Sequence, residues 1–193
     1  MKRTFAYIFA LATLVSLPIA AAPVSGERVS LFNGKDLEGW SLLKCEAKAD
    51  QGDILIQSGN GLVQSKKKYA NFVLEFDWKA LAADKWDSGV YFRYDSVPPN
   101  EPWPARYQAN LRKGMEGNVD GVEGARSTGM IKAGEWNTFK LTVNNDTLEL
   151  QINGKQAWTA KGLTGPASGF IALQAEVPNG GQHRFRNIYI TEL

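Results

Sequence analysis

The chain has 193 residues, with 22 Lys and Arg against 20 Asp and Glu, so its formal net charge at pH 7 is only +2. This balance gives no reason to expect nucleic acid or an anionic membrane surface as a partner. Cys45 is the only cysteine and His183 the only histidine. These counts exclude an internal disulfide, a cysteine metal cluster and a multi-histidine metal site.

Residues 1–22 have the layout of a secretory signal peptide. Lys2 and Arg3 precede a largely apolar run from residue 5 to 19, and alanines at 20–22 follow. The run is too short for an ordinary spanning helix, although an uncleaved signal anchor is the alternative interpretation. We expect an exported protein, periplasmic or extracellular, with a linker over 23–28 and one domain over 29–193, which has no membrane contact after cleavage.

Alternation of apolar and polar residues predicts strands along most of the mature chain. The Asn153-Gly154 pair between two alternating runs is a strong hairpin signal, because both turn residues must accept positive φ. Short strands with many glycines between them favour a mostly antiparallel sandwich of two sheets. The predicted strands cover residues 72–79, 90–93, 139–143, 148–152 and 169–176.

A long irregular segment separates Tyr94 from Trp136. It contains four prolines and six glycines, and compact domains seldom carry so much irregular chain unless it builds a binding site or is loose. Its side chains are those that sugar-binding sites use. They include Trp103, Tyr107, Gln108, Asn110, Glu116, Asp120, Glu123 and Arg126.

Four segments, in this order, resemble the 3-keto-disaccharide hydrolase domain family. They are Leu31-Phe32-Asn33-Gly34-Lys35-Asp36-Leu37-Glu38-Gly39-Trp40, Asp87-Ser88-Gly89-Val90-Tyr91-Phe92-Arg93, Gly134-Glu135-Trp136-Asn137, and Leu173-Gln174-Ala175-Glu176 with Phe185-Arg186-Asn187-Ile188. The resemblance covers residues 29–193, and an ordered set of four is far more specific than one motif. It implies a concanavalin-A-like jelly-roll sandwich with a sugar site on the concave sheet.

Two positions depart from the family pattern. Asp87 stands where the family usually has Asn. Tyr107 is followed by Gln108 and Asn110, where the family often has a carboxylate. An amide cannot act as a base and binds a cation weakly, so this departure bears on catalysis more than on fold.

The resemblance also implies a chemistry. A ketone at C3 of a sugar acidifies the C2 hydrogen, so a base can remove it, the group on C1 leaves by elimination, and water adds back. Such a site needs a base, donors or a cation near the C3 oxygen, and an acid for the leaving oxygen. An ordinary glycosidase needs two carboxylates flanking the scissile bond instead.

The last predicted strand supplies the leading candidate for the base. Alternation buries Ile171, Leu173 and Ala175 on one face and projects Gln174 and Glu176 from the other. We predict that Glu176 is the base and Gln174 a partner that orients the sugar. The alternative is an ordinary exposed strand face.

Three further residues are candidates for catalysis. Asp77 resembles the acidic position of the family's matching strand. Glu123 could complete the site or ligate a divalent cation, or it could be a solvated loop charge. His183 could be an acid or base because the ordinary pKa of histidine is about 6.5, or it could be a plain exposed loop residue.

Tyr91 and Arg93 project from one strand face by parity and could hold sugar hydroxyls or a developing enolate oxygen. The alternative for Arg93 is an ion pair with Asp77 or Glu75 on a neighbouring strand. Trp86 and Trp103 lie in loop contexts suited to stacking on a sugar, whereas the tryptophans at 40, 78, 136 and 158 are predicted to be core. The predicted binding set is Arg93, Tyr91, Tyr107, Gln108, Asn110, Gln174, Trp86, Trp103 and Arg126, although a solvated loop charge is the simpler reading of Arg126.

Three function classes remain open at this point. The resemblance implies an exported enzyme that cleaves 3-keto-glycosides, with a small sugar as substrate and a separate sugar-oxidising enzyme that could supply it. A noncatalytic carbohydrate-binding module is favoured by the amides after Tyr107. An ordinary two-carboxylate glycoside hydrolase predicts two acids facing each other across the groove. The family chemistry leaves room for a divalent cation but does not require one.

Overall fold

A computed structural model describes residues 26–193, so the predicted signal peptide lies outside the described part. Almost all regular structure in this part is β-strand. The strands are β1 (Arg28–Ser30), β2 (Trp40–Asp50), β3 (Asp53–Ser65), β4 (Phe72–Ala80), β5 (Gly89–Tyr94), β6 (Gln108–Asn110), β7 (Asn137–Asn144), β8 (Thr147–Ile152), β9 (Lys155–Lys161), β10 (Phe170–Glu176) and β11 (His183–Glu192). One helical turn, α1 (Val177–Gly180), joins the last two strands. Within residues 26–193, no helix is long and apolar enough to cross a membrane.

The strands form one curled antiparallel sheet in the order β6-β5-β10-β3-β11-β4-β7-β8-β9, with β2 paired to β3 and β1 to β11. Strand β3 is the corner of this sheet. Its first part, at residues 54–56, pairs with β11, and its second part, at residues 60–64, pairs with β10. The sheet therefore folds into two layers. We call β6, β5, β10 and the second part of β3 the first layer.

The corner is built from a bulge and two glycines. The pairing of β2 with β3 shifts register between Leu43 and Cys45, and the intervening Lys44 has a φ of 55°. A Cβ on Gly61 would lie 1.9 Å from the carbonyl oxygen of Leu43, and Gly59 has a φ of 93°. A bulge with glycines at a close approach bends a strand pair, so this short sequence turns the sheet.

The core lies between the layers. Alternate residues of β4 point into it, and the ring of Phe76 stacks on Phe139 with centroids 5.1 Å apart. Trp40, Trp78 and Trp158 are buried there, as the sequence predicts. Trp136 is only partly buried, and the Arg186 guanidinium lies over its ring. The strands expected at 72–79, 139–143, 148–152 and 169–176 are all present, and β8 and β9 turn at residues 153–154. The predicted all-β antiparallel sandwich is confirmed.

Candidate active site

The outer face of the first layer carries a mixed polar and apolar surface. In β10, Ile171, Leu173 and Ala175 point into the core, so Gln174 and Glu176 project from the outer face. In the neighbouring strands Tyr91 pairs with Gln108 on one side and Ala172 on the other. This register brings together four of the predicted site residues: Glu176, Gln174, Tyr91 and Gln108.

Hydrogen bonds link the side chains of Gln108, Gln174 and Glu176 from β6 across β5 to β10. The Gln108 amide donates to Gln174 Oε1, and Gln174 Nε2 donates to Glu176 Oε2 over 3.1 Å. Ser88 Oγ donates to the main-chain carbonyl of Gln174 over 2.8 Å, which anchors the strand beneath. Each amide carries further donors and acceptors. Gln174 is buried and holds the Glu176 carboxylate in place, whereas the partly exposed Gln108 amide can bind a hydroxyl group.

Asp87 is a site residue that was not among those predicted from the sequence. Val90 pairs with Leu173, and continuing this antiparallel register puts Asp87 opposite Glu176. Burial raises the pKa of Asp87, whereas the positive charges of Arg112 and Lys85 act against this rise. Arg112 Nε lies 3.6 Å from Asp87 Oδ2. The signal in the sequence was parity, because residues 87, 89 and 91 share one face.

Glu176 is a half-buried carboxylate next to this second acid. Burial is the largest cause that raises its pKa, and the negative charge of Asp87 is the next. Arg112 and Lys85 lower it by smaller amounts. A carboxylate whose proton affinity is raised by desolvation and a like charge is the pattern typical of a catalytic base.

Tyr91 presents a neutral hydroxyl to the same part of the outer face. Its pKa lies well above the ordinary value because of burial first, and then because of the negative charges of Glu176 and Asp87. Within residues 26–193, every fully buried polar side-chain atom has a hydrogen-bond partner. Tyr91 is only 4% exposed and its hydroxyl forms no such bond there, so the hydroxyl oxygen keeps a small contact with solvent and is available as a donor.

The loop after β5 covers the apolar end of the outer face. Trp103 and Val97 pack over a cluster formed by Leu62, Tyr91 and its neighbours on β5 and β10. Lys44 Nζ donates to the carbonyl oxygen of Glu101 over 2.8 Å and ties this loop to the sheet. Trp103 thus stands beside the polar row, where a half-exposed indole can stack on a sugar face.

His183 is neither a groove residue nor an exposed loop residue. Its side chain is fully buried at the start of β11, where Trp78 Nε1 lies 3.2 Å from Nδ1 and the carbonyl oxygen of Asp87 lies 3.0 Å from Nε2. Burial lowers its pKa to about 4. The ring is therefore neutral at physiological pH, and it has no access to a substrate.

Asp77 lies on β4, which belongs to the other layer. It points away from the core and accepts hydrogen bonds from Arg186, Asn187 and Thr138, so it is separated from Glu176 by the thickness of the sandwich. Its ion-pair partner is Arg186, with Nε 3.2 Å from Oδ2, and not Arg93. The structure does not bring Asp77 into the groove.

Arg93 does not share the outer face with Tyr91, because a bulge interrupts the alternation of β5. Arg93 has a φ of 54°, and the pairing with β10 shifts register beside it. Phe92 points into the core, so strict alternation would turn Tyr94 into the core as well. Because of the bulge, Tyr94 instead lies on the outer face with Tyr91. The Arg93 guanidinium donates to three main-chain carbonyls at the end of the sandwich, of Ala70, Asn145 and Pro166.

Two aromatic candidates are inside the protein. The Tyr107 ring stacks on Phe92 in the core, and its hydroxyl is 2.9 Å from Thr164 Oγ1. Trp86 is also buried in the core and donates from Nε1 to Glu116 over 2.9 Å. Both positions looked like loop residues in sequence, but loops that fold back over a sheet edge bury their aromatic side chains.

The remaining candidates lie at the edge or outside. Asn110 ends β6 and accepts from the main-chain nitrogen of Arg112 over 2.6 Å, which places Arg112 beside Asp87. Glu123 is exposed, and Arg126 pairs with Asp120 over 2.9 Å. Between residues 26 and 193, no three His, Cys, Asp or Glu side chains form a cluster that could hold a metal ion.

Comparison with solved structures identifies the same fold in carbohydrate-active proteins. A candidate glycosyl hydrolase from Parabacteroides distasonis ATCC 8503 superposes with a TM-score of 0.66 at 20% identity, over 87% of this chain and 94% of that chain. The carbohydrate-binding module CBM66 from Bacillus subtilis gives 0.63 at 16% identity, over 80% and 96%. A Bacillus subtilis protein of unknown function with a galectin-like fold gives 0.57 at 10% identity, over 81% and 90%.

At these identities the likeness establishes the fold alone. No curated protein matches the sequence. The family model of the 3-keto-alpha-glucoside-1,2-lyase-like domain, however, matches residues 27–191, which is nearly the whole of the described chain. The protein belongs to this family.

Proposed function

We propose that this protein cleaves the glycosidic bond of 3-keto-glycosides, with Glu176 as the base that removes the C2 hydrogen. The observation that carries the proposal is the environment of Glu176. Its carboxylate is half-buried on the outer face of the first layer, lies opposite Asp87 in the strand register, and has a pKa raised by burial first and by the Asp87 charge second. Proton abstraction from carbon is faster with a base whose pKa approaches the working pH, so the setting suits this reaction.

The steps follow from the side chains. Glu176 takes the proton from C2, and the electron pair of the C–H bond is delocalised onto the C3 oxygen as an enolate. The Tyr91 hydroxyl donates a hydrogen bond to this oxygen, since burial and, to a smaller extent, the adjacent carboxylates keep the phenol protonated. The enolate then expels the group on C1, which breaks the C1–O bond and forms a C1–C2 double bond. Protonated Glu176, or water in the open groove, gives the leaving oxygen its proton, and water later adds across the double bond.

The rest of the outer face would recognise the sugar. The partly exposed amide of Gln108 can bind a hydroxyl group, and the partly buried indole of Trp103 offers a stacking surface beside Tyr91. The substrate is then a small sugar glycoside. We propose that the reaction takes place after export, where a separate sugar-oxidising enzyme supplies the ketone.

The experiment is a product assay with matched substrates. Chromogenic 3-keto-glucosides and the corresponding unoxidised glucosides are incubated with the purified mature protein, with and without chelator. We expect release from the keto substrates alone. In D2O, NMR should also show exchange of the C2 hydrogen of a 3-keto-glucoside at a rate well above that in buffer without protein, as a positioned base requires.

Two variants test whether Glu176 is the base. Glu176→Gln should lose release and C2 exchange by at least about 100-fold, as removal of a general base does. Glu123→Gln, at an exposed acid of the irregular loop, is the matched control and should keep both. Equal release from unoxidised glucosides would instead identify an ordinary two-carboxylate hydrolase. Sugar binding by calorimetry without any release would identify a binding module.

A further inference from the structure

The hydrogen bonds of His183 fix one tautomer of its ring. The indole N–H of Trp78 can only donate, so His183 Nδ1 at 3.2 Å must accept. The proton of the neutral ring is then on Nε2, which donates to the carbonyl oxygen of Asp87 at 3.0 Å. Stacking on Trp78, with ring centroids 6.0 Å apart, adds a second restraint.

The main chain of Asp87 is held from two sides. His183 fixes its carbonyl oxygen, and its N–H donates to the carbonyl oxygen of Gly180 over 3.1 Å. Gly180 has no side chain to separate the two segments, since a Cβ there would lie 2.2 Å from the Asp87 oxygen. Residues 85–88 belong to no strand, so hydrogen bonds hold this segment in place. The contacts of Asp87 act together with the Ser88 bond to Gln174 and with the main-chain bonds that Trp86 and Ser88 accept from Lys113 and Leu111.

Asp87 lies between a cation and a like charge, because its Oδ2 is 3.6 Å from Arg112 Nε and the strand register puts it opposite Glu176. Two opposed carboxylates repel, so an unrestrained Asp87 would move further away from Glu176. We propose that His183 is a positioning residue that holds the Asp87 main chain and thereby keeps the Asp87 carboxylate facing Glu176. This inference rests on the proposed role of Glu176 as the base. It goes further by assigning to a buried, neutral histidine the maintenance of a like-charge contact that makes the base stronger.

The charged groups that face Glu176 are Asp87, Arg112 and Lys85. The Arg112 side chain is 62% exposed, whereas that of Asp87 is only 24% exposed. Solvent therefore screens the attraction to Arg112 more than the repulsion from Asp87. If Asp87 turned away, the remaining positive charges would lower the proton affinity of Glu176.

The test is a carbon-13 NMR titration of the Glu176 carboxyl, assigned by comparison with Glu176→Gln. His183→Leu removes both hydrogen bonds of the ring, and Asp87→Asn removes the opposing charge. We expect each variant to lower the titration midpoint of Glu176 by a similar amount, about one pH unit. In the double variant we expect no further shift, because the histidine acts through Asp87. His183→Gln, which keeps a donor and an acceptor, should lie closer to the wild-type midpoint.

Kinetics give a second measurement. kcat at pH 7 should fall about tenfold in His183→Leu with KM nearly unchanged, and His183→Gln should recover most of it. A Glu176 midpoint unchanged in folded His183→Leu, or shifts that add in the double variant, would overturn the inference. Should His183→Leu fail to fold, Trp78→Phe replaces it, because this variant removes the hydrogen bond to His183 Nδ1. Trp78→Phe should lower the titration midpoint of Glu176 by a smaller amount, and an unchanged midpoint would overturn the inference. Wild-type protein without turnover, but with the expected shifts, would reject only the proposed function.

Discussion

Gly89 lies directly beneath the side-chain amide of Gln108, because a Cβ built on Gly89 would be 2.0 Å from Gln108 Nε2. This glycine has an ordinary backbone conformation, so what it provides is space and not a positive φ. Through this space the Gln108 amide crosses β5 and reaches Gln174 on β10. The absence of a side chain at position 89 is thus part of the site.

Gly89→Ala should therefore reduce turnover of a 3-keto-glucoside while the fold survives. The methyl group displaces a flexible side chain rather than backbone, so the melting temperature should change little. We expect kcat/KM to fall about tenfold because the amide row is broken. In a Gln108→Ala background the same glycine change should have no further effect on kcat/KM, and an undiminished loss there would contradict this explanation.

The bond between Gln174 and Glu176 gives a prediction with a defined sign. Gln174 donates to the carboxylate and so favours its ionised form. Gln174→Met removes this donor in a side chain of similar length, so the pKa of Glu176 should rise and the acidic limb of the kcat/KM profile should move to higher pH. Gln156→Met is the matched control, since Gln156 lies on β9 in the other layer and donates to the main chain of Trp158. An unmoved or lowered acidic limb would contradict the prediction.

Much of the site could be predicted because two-residue alternation and antiparallel register are local rules. Ile171, Leu173 and Ala175 define the buried face of β10, and that alone places Gln174 and Glu176 on the other face. The same rule, continued upstream of Tyr91, would have selected Asp87. Position 87 precedes β5, and its pairing becomes visible only when the register is known.

The parts that could not be predicted depend on long-range contacts. The bulge at Arg93 follows from a positive φ that no local pattern signals, and it moves the guanidinium to the end of the sandwich. His183 looks like a turn residue, yet it is buried because it packs against Trp78 and the carbonyl group of Asp87. These partners are 105 and 96 positions away in the chain, so no local pattern signals the contact. Asp77 has the correct alternation but belongs to the other layer, and layer membership is set by strand order.

Asp77→Asn tests the separation of the two layers. Asp77 is largely buried and accepts from Arg186, Asn187 and Thr138, so loss of its charge should lower the free energy of unfolding by about 1–2 kcal/mol. Turnover of a 3-keto-glucoside should stay within about twofold of wild type, which is the scatter expected for a remote change. Urea unfolding and the chromogenic assay measure the two effects. The matched control is Asp120→Asn at an exposed ion pair, which should change neither. A hundredfold loss of turnover would return Asp77 to the list of catalytic residues.

His183 predicts how stability depends on pH. Its pKa is about 4 in the folded protein and about 6.5 when the chain is unfolded. Between these values the unfolded state binds more protons, so stability should fall as the pH decreases from 6.5 to 4, by up to about 3 kcal/mol. His183→Gln should be less stable than wild type at pH 7 but should lose less stability on acidification, because it has no ring to protonate. Urea unfolding at pH 7 and pH 5 measures the loss of unfolding free energy in each protein. Subtracting the two losses removes the contribution of the carboxylates, which both proteins share. Parallel losses in the two proteins would show that the His183 ring titrates equally in both states and would contradict its assignment as a buried neutral residue.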